Sequence, residues 1–306
     1  MGVVDDRVAA KALKSNAYDH IGWDELVPVL GAGLRLLGDH VATLVDTLSR
    51  MGTPELAQGR KVVELVADEE AAKVLIVLDL ARAGRNDTAV SSRLRQAFYD
   101  HHARLLYGYV YEMSPADYRE VVQHVERVRV SHYLDGPNDT DWVFRNALVE
   151  GREETLYVDL VHRGVGEPDQ WVTPLNRSVP SWGGLSTVVR VVMALRRMGV
   201  LSEQGLRVCR DVWAGVRLCG ERDQAAGVEP THWQVCADLN RQVVEQVFDP
   251  VGGQVEDEDV RLVRDHWGFP LGELDLREKP VPVSELRDVQ ASAVDGVEHP
   301  LVWNGL

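Results

Sequence analysis

The sequence predicts an all-α protein: a helical bundle, then a second helical region, then an acidic and mostly irregular C-terminal tail. Three observations lead there. Apolar residues recur at three- and four-residue intervals through the first two-thirds of the chain, with little β-branched alternation. Glycine and proline signals fall at spacings that suit helices of several turns. Residues 249–306 hold five prolines and the run EDED, a composition that suits irregular chain.

Taken in order, DELVPVLGAGLRLLGDHVATLVDTLSRMG reads as the first helix, with Pro28 marking its start and Gly52 its close. PELAQGRKVVELVADEEAAKVLIVLDLARAG is the second, ending at Gly84, where a left-handed cap is natural. DTAVSSRLRQAFYDHHARLLYGYVYEM reads as one continuous third helix. SPADYREVVQHVERVRVSHYL is the fourth, opened by Ser114 and Pro115. DGPNDTD marks a turn, residues 142–150 a short helix, and ETLYVDLVHRG an extended segment. These make a domain over residues 1–165. A linker follows over 166–182, with Pro168, Pro174 and Pro180. GLSTVVRVVMALRRMG, SEQGLRVCRDVWAGVRLCG and THWQVCADLNRQVVEQVF form a helical region over 183–248. Trp267 and Trp303 suggest that parts of the tail dock.

Bulk numbers narrow the function. The chain has 306 residues, 45% of them hydrophobic, enough for one large core or two modest ones. No run of about 18 uncharged apolar residues occurs, so no membrane span is expected. The charged N-terminus lacks the apolar region of a secretory signal. Three cysteines without C-x-x-C spacing point to a reducing cytoplasm and to thiols that serve as small core residues. The net charge of −15 argues against non-specific coating of nucleic acid. The charge is uneven, however. Residues 249–306 hold 5 Lys/Arg against 13 Asp/Glu, whereas residues 177–218 hold 7 Arg against 2 acids. The acidic tail is therefore expected to dock over the basic central segment.

Several motifs fail. VPVLGAGLRLLG is like the glycine-rich turn of nicotinamide-binding folds, but its spacing is not G-x-G-x-x-G and no strand–turn–helix surrounds it. Its small residues suit close helix packing instead. No Walker A lysine follows a glycine loop, zinc spacing is absent, and Pro230 breaks the one Glu-x-x-His, Glu229 to His232. No metal and no cofactor are expected.

One constellation survives. On the second helix Glu70 stands in the apolar stripe Val63, Val66, Val74, Val77 and Ala81, and Lys73 lies within reach of Glu69 and Glu70. A buried carboxylate without a partner costs several kcal/mol, so Glu70 needs a partner or a polar cleft. On the third helix Arg95, His101, His102 and Arg104 cluster. Arg95 and His102 are seven steps apart on it and return to within about 20° of one face, while Arg95 and His101 diverge by about 120° and meet only if the helix end or the arginine's length helps. Histidine moves protons near neutral pH, and arginine grips phosphate through a fixed fork of donors. Together they suit RNA cleavage without a metal.

ELVADEEAAKVLIVLDL, RLRQAFYDHHARLLYG, EETLYVDLV and WVTP, in this order, resemble the AbiV abortive-infection proteins, an all-α branch of the HEPN superfamily. The resemblance spans residues 30–175. It matches Glu69, Glu70 and Lys73, then Phe98, His101 and Arg104, then Tyr157 and Asp159, with Arg95 completing the superfamily's Arg…His signature. Ala72 stands where a glycine is usual, and His102 where a basic residue is usual. The resemblance implies a helical bundle, a homodimer that brings two Arg…His motifs into one cleft, and an RNA substrate cut in defence against phage. On that reading Arg95 holds the phosphate, His101 is the acid/base, His102 assists, and Glu70 and Lys73 shape the cleft wall. The alternative is a non-catalytic helical module that senses or sequesters a phage or host protein, with a regulatory protein as partner.

Overall fold

The computed structural model describes Leu13 and residues 21–83, 87–131, 146–161, 168, 170–174, 184–219, 228–248 and 255–280. The protein is all-α as the sequence predicts: among the described residues ten helices carry the fold, and strands are only two or three residues long. Helix α1 (Trp23–Arg50) includes Pro28 in its second turn rather than beginning after it. A short 3-10 turn at Pro54–Leu56 leads into α2 (Ala57–Arg82). Gly84 and the DGPNDTD turn lie outside the described residues.

The expected third helix is two. Helix α3 (Thr88–Ala97) ends where the Asp100 amide bonds back to the Ala97 carbonyl at 3.1 Å. The Asp100 carboxylate then accepts the Ala103 amide at 3.2 Å and caps α4 (His101–Tyr111). Such a cap is worth about 1 kcal/mol, enough to favour a break over a run through Phe98 and Tyr99. Helix α5 (Tyr118–Val128) is likewise opened by Asp117 and not by the Ser-Pro pair, the carboxylate accepting the Glu120 amide at 3.1 Å.

Helix α2 is the axis of the bundle. From Ala71 to Arg82 every residue but Lys73 is buried, because α1, α3, α4, α7 and α8 all pack on it. Fully buried side chains such as Leu75, Ile76 and Leu78 each contribute about 1.5–3 kcal/mol. Two of the three glycines of α1, Gly31 and Gly38, set its crossings, while a Cβ on Gly33 would meet open space. A Cβ on Gly31 would lie 2.6 Å from the Glu203 amide nitrogen, and one on Gly38 2.7 Å from a Leu201 methyl. They serve close helix packing, as their spacing suggests.

Helix α6 (Ala147–Leu156) starts later than expected and runs into the segment read as extended; β2 (Asp159–Val161) follows. It pairs antiparallel with β3 (Gln170–Val172), so the stretch read as linker holds a strand. Helices α7 (Thr187–Arg197) and α8 (Glu203–Val212) are joined at Gly199, whose φ of 79° suits glycine. Helices α9 (Trp233–Val247) and α10 (Asp257–His266) complete the set. The described part of the tail, residues 255–280, holds the helix α10 where irregular chain was expected, and it meets the basic central segment: Glu258 of α10 takes Arg190 of α7 at 2.9 Å, and Asp259 is ion-paired with Arg197. Beyond α10 the chain has no regular structure until Lys279–Pro280, β4, which pairs with Val130–Ser131, β1. Even so, Trp267, Phe269 and Leu271 are buried in the core. Trp303 lies outside the described residues. Among the described residues no helix is long and apolar enough to cross a membrane.

Candidate functional site

Glu69 sits on the face of α2 that meets α4 and α6, and three basic side chains converge on its carboxylate. His101 places Nδ1 2.7 Å from Oε2, Arg104 donates Nη1 to Oε2 at 2.9 Å, and Arg152 of α6 donates Nε to Oε1 at 2.8 Å. Burial alone would raise the Glu69 pKa, but the hydrogen bonds from Arg152 and His101 outweigh it and hold the carboxyl below its usual range. The carboxylate is therefore ionised at neutral pH and fixes the imidazole with Nδ1 as donor, which leaves Nε2 to take or give a proton. His101 is 54% exposed at its side chain, whereas Glu69 and Arg104 are 9% exposed. Arg104 is further tied to the Phe98 carbonyl at 3.1 Å. Arg152 bonds Glu69 through Nε and is 21% exposed at its side chain.

The remaining predicted residues divide. Glu70 and Lys73 pair with each other beside the cluster, and Lys73 lies 5.8 Å from the Phe98 ring centre. Glu70 thus has the partner the sequence demands, although the more buried carboxylate is its neighbour Glu69. Arg95 does not join the histidines. The break at Phe98–Asp100 turns it into the core, where it donates to the Leu13 carbonyl at 3.4 Å. His102 is also buried: Nδ1 meets the Leu276 carbonyl at 3.0 Å, and Nε2 has no hydrogen-bond partner among the described residues. The expected pairing of Arg95 with His102 on one helical face depends on a continuous helix and is not formed. Tyr157 is exposed at the end of α6, and Asp159 lies in β2, its backbone paired with Val172.

Next to Glu69, Asp68 faces the start of α7. It accepts the Ser186 hydroxyl, while Glu112 accepts the Thr187 amide at 2.6 Å and its hydroxyl at 2.8 Å. Burial, with Glu112, Glu64 and Glu69 nearby, pushes the Asp68 carboxyl up to about 7 against the pull of the Ser186 hydrogen bond.

A second polar cluster is entirely enclosed. Asp79 of α2 takes Arg82 at 2.6 Å, the Tyr107 hydroxyl at 2.7 Å and the Leu271 amide at 2.9 Å. Arg82 also donates to the Asn240 side chain at 3.2 Å and the Gly268 carbonyl at 2.8 Å. Its guanidinium lies 5.1 Å from the Trp213 ring centre and 4.9 Å from that of Trp267. With both side chains at 0% exposure, this cluster fixes the C-terminal segment to α2 and offers no ligand a way in. The nearby Cys209 and Cys236 thiols are pushed up to about 12 by burial, which makes them inert core residues.

Comparison with protein-family models, curated proteins and solved structures finds no match for this chain. Among the described residues no group of three or more His, Cys, Asp or Glu side chains could hold a metal ion. Sequence reading missed Arg152, Asp68, Asp79 and Arg82. For Asp79 and Arg82 the signal is present: two charges, three residues apart, in the apolar run VLIVLDLAR.

Proposed function

We propose that the chain is an endoribonuclease that cleaves RNA without a metal ion at His101, and that it acts in abortive infection as its resemblance implies. The observation that carries the reading is one half-exposed imidazole held at Nδ1 by a carboxylate that also binds two guanidiniums. Nε2 of His101 takes the 2′-hydroxyl proton, the 2′-oxygen attacks phosphorus, and the 5′-oxygen leaves with a proton returned from the imidazolium. Arg152 supports the charge that develops on the phosphorane oxygens, with Lys73 nearby. Glu69 sets the tautomer and orientation of His101, the role a carboxylate has beside other catalytic histidines. The phosphate-holding role thus moves from Arg95 to Arg152. Incubating purified protein with RNA in EDTA tests this. Fragments ending in a 2′,3′-cyclic phosphate support the reading, and intact RNA speaks against it.

The second reading is a non-catalytic module that binds a protein. It is favoured by the exposed apolar side chains Tyr157, Val158, Leu160 and Trp171 beside α6. Stable binding of a phage or host protein, with no RNA cleavage, would select it.

A further inference from the structure

A cleft of about 650 Å³ lies between α3 and the docked segment 271–277. Its volume falls within the range of small-molecule sites. The wall formed by the docked segment is held from behind. The Leu271 amide donates to Asp79 at 2.9 Å, and the Leu276 carbonyl meets His102 Nδ1 at 3.0 Å. The two walls approach closely at Gly272, where a Cβ would lie 2.7 Å from a Leu94 methyl. The cleft is therefore formed before any ligand enters, which lowers the cost of binding.

Its lining joins aliphatic surface to one available cation. Leu94, Ala97, Leu271, Leu274 and Leu276 supply the aliphatic part, and no aromatic side chain is among the described residues that line the cleft. Arg93 of α3 also lines it. Its Nε donates to the Gly272 carbonyl at 3.3 Å, while its two terminal nitrogens have no hydrogen bond or ion pair among the described residues. The acids of the lining are already engaged. Asp275 accepts Nε and Nη2 of Arg277, both at 2.8 Å, and these bonds hold its carboxyl far below the usual carboxylate range. Asp100 caps α4.

We propose that this cleft binds an aliphatic monocarboxylate, its carboxylate on the fork of Arg93 and its hydrocarbon chain along Leu94, Leu271 and Leu274. Three features choose that class. A planar guanidinium with two unengaged nitrogens matches a carboxylate bidentately. One such fork suits a single charge, not the row of charges on a polyphosphate or an RNA strand. An aliphatic lining suits a hydrocarbon chain and gives a base or other flat ring nothing to stack on. The site is distinct from the Glu69–His101 cluster, and binding here stands whether or not His101 cleaves RNA. The two share α4, however. Asp100 and Ala103 line the cleft on either side of His101 and His102, so an occupied cleft braces the turn that carries His101.

Calorimetric titration of the full chain with decanoate, below the concentration at which it forms micelles, is the test. Decanoate should bind with a Kd of about 100 µM or tighter. Octanoate should bind about ten-fold more weakly, since loss of two buried CH₂ groups costs about that factor. Decanol, which lacks the charge, and AMP, which carries its phosphate on a flat base, should also be weaker by about ten-fold or more. Arg93→Met should weaken decanoate by about ten-fold or more, and Arg50→Met, at a 75% exposed side chain of α1, should leave it unchanged. If Arg93→Met melts early through loss of its Gly272 bond, Ala89→Phe decides, because it fills the cleft from an exposed position on α3 and should abolish binding at a wild-type melt. Hydrogen exchange places the ligand: amides of 101–103 and 271–277 should gain protection. Decanoate that does not bind, that binds no tighter than decanol or AMP, or that binds Ala89→Phe unchanged overturns the proposal, and so does protection confined to other helices.

Discussion

Nδ1 of His101 lies 2.7 Å from Oε2 of Glu69, and one carboxylate of α2 thereby orders an imidazole and a guanidinium of α4 and a second guanidinium of α6. The two residues are 32 positions apart, and only the packing of α4 on α2 brings them together.

Glu69→Gln keeps the shape of the side chain but removes the charge that selects the His101 tautomer. It should lower the rate of RNA cleavage by about 10–100-fold, as loss of an orienting partner does at other sites. The pH–rate profile should move as well, which a purely structural effect would not cause. An unchanged profile would separate Glu69 from the chemistry.

His102 and His101, adjacent in sequence, should behave as opposites. His102 is buried on the Leu276 carbonyl, so His102→Ala should lower stability by about 1–3 kcal/mol in urea unfolding. His101→Ala, at a half-exposed side chain whose hydrogen bond is to Glu69, should cost less, about 0.5–1 kcal/mol. Equal losses in the two variants would contradict these placements.

The Asp79–Arg82 pair predicts a non-additive result. Asp79→Asn leaves a guanidinium buried without its counter-ion and should cost about 3–5 kcal/mol. Replacing both residues, Asp79→Asn with Arg82→Met, should cost clearly less than the two single losses added together. Additive losses in guanidinium unfolding would show that the pair is not coupled.

The pH dependence of stability turns on Asp68. Its carboxyl is raised from 3.8 to about 7 in the fold, so the folded state holds the proton more tightly than the unfolded chain. That stability is complete at low pH and is lost as pH rises from about 4 to 7. Asp68→Asn should therefore raise the melting temperature at pH 8 by several degrees and far less at pH 5. An equal shift at both would place the titration elsewhere.

Much of the fold could be read from helical periodicity, and the break at Asp100 and the docked segment 267–271 show where such reading stops. Apolar spacing finds α1 and α2, and Gly31 and Gly38 of α1 lie at close helix contacts. It does not find the break at Asp100, because YDHHARLLYG continues the apolar period across the cap. The signal was Asp100 itself, an N-cap residue directly before an apolar run. That one break redirects Arg95 and undoes the face it was to share with His102. Arg152 could not be found by period at all: it reaches Glu69 across 83 residues, a distance only tertiary packing closes. Residues 267–271 look irregular in composition, yet they are held because Asp79 and Arg82 bind their backbone.

The central claim is that His101 moves the proton in RNA cleavage. The most direct measurement compares wild type and His101→Ala on RNA in EDTA, with thermal melts run alongside. The wild type should cleave, and the variant, still folded in its melt, should be slower by about 10²–10⁴-fold. Cleavage by His101→Ala at the wild-type rate would contradict it.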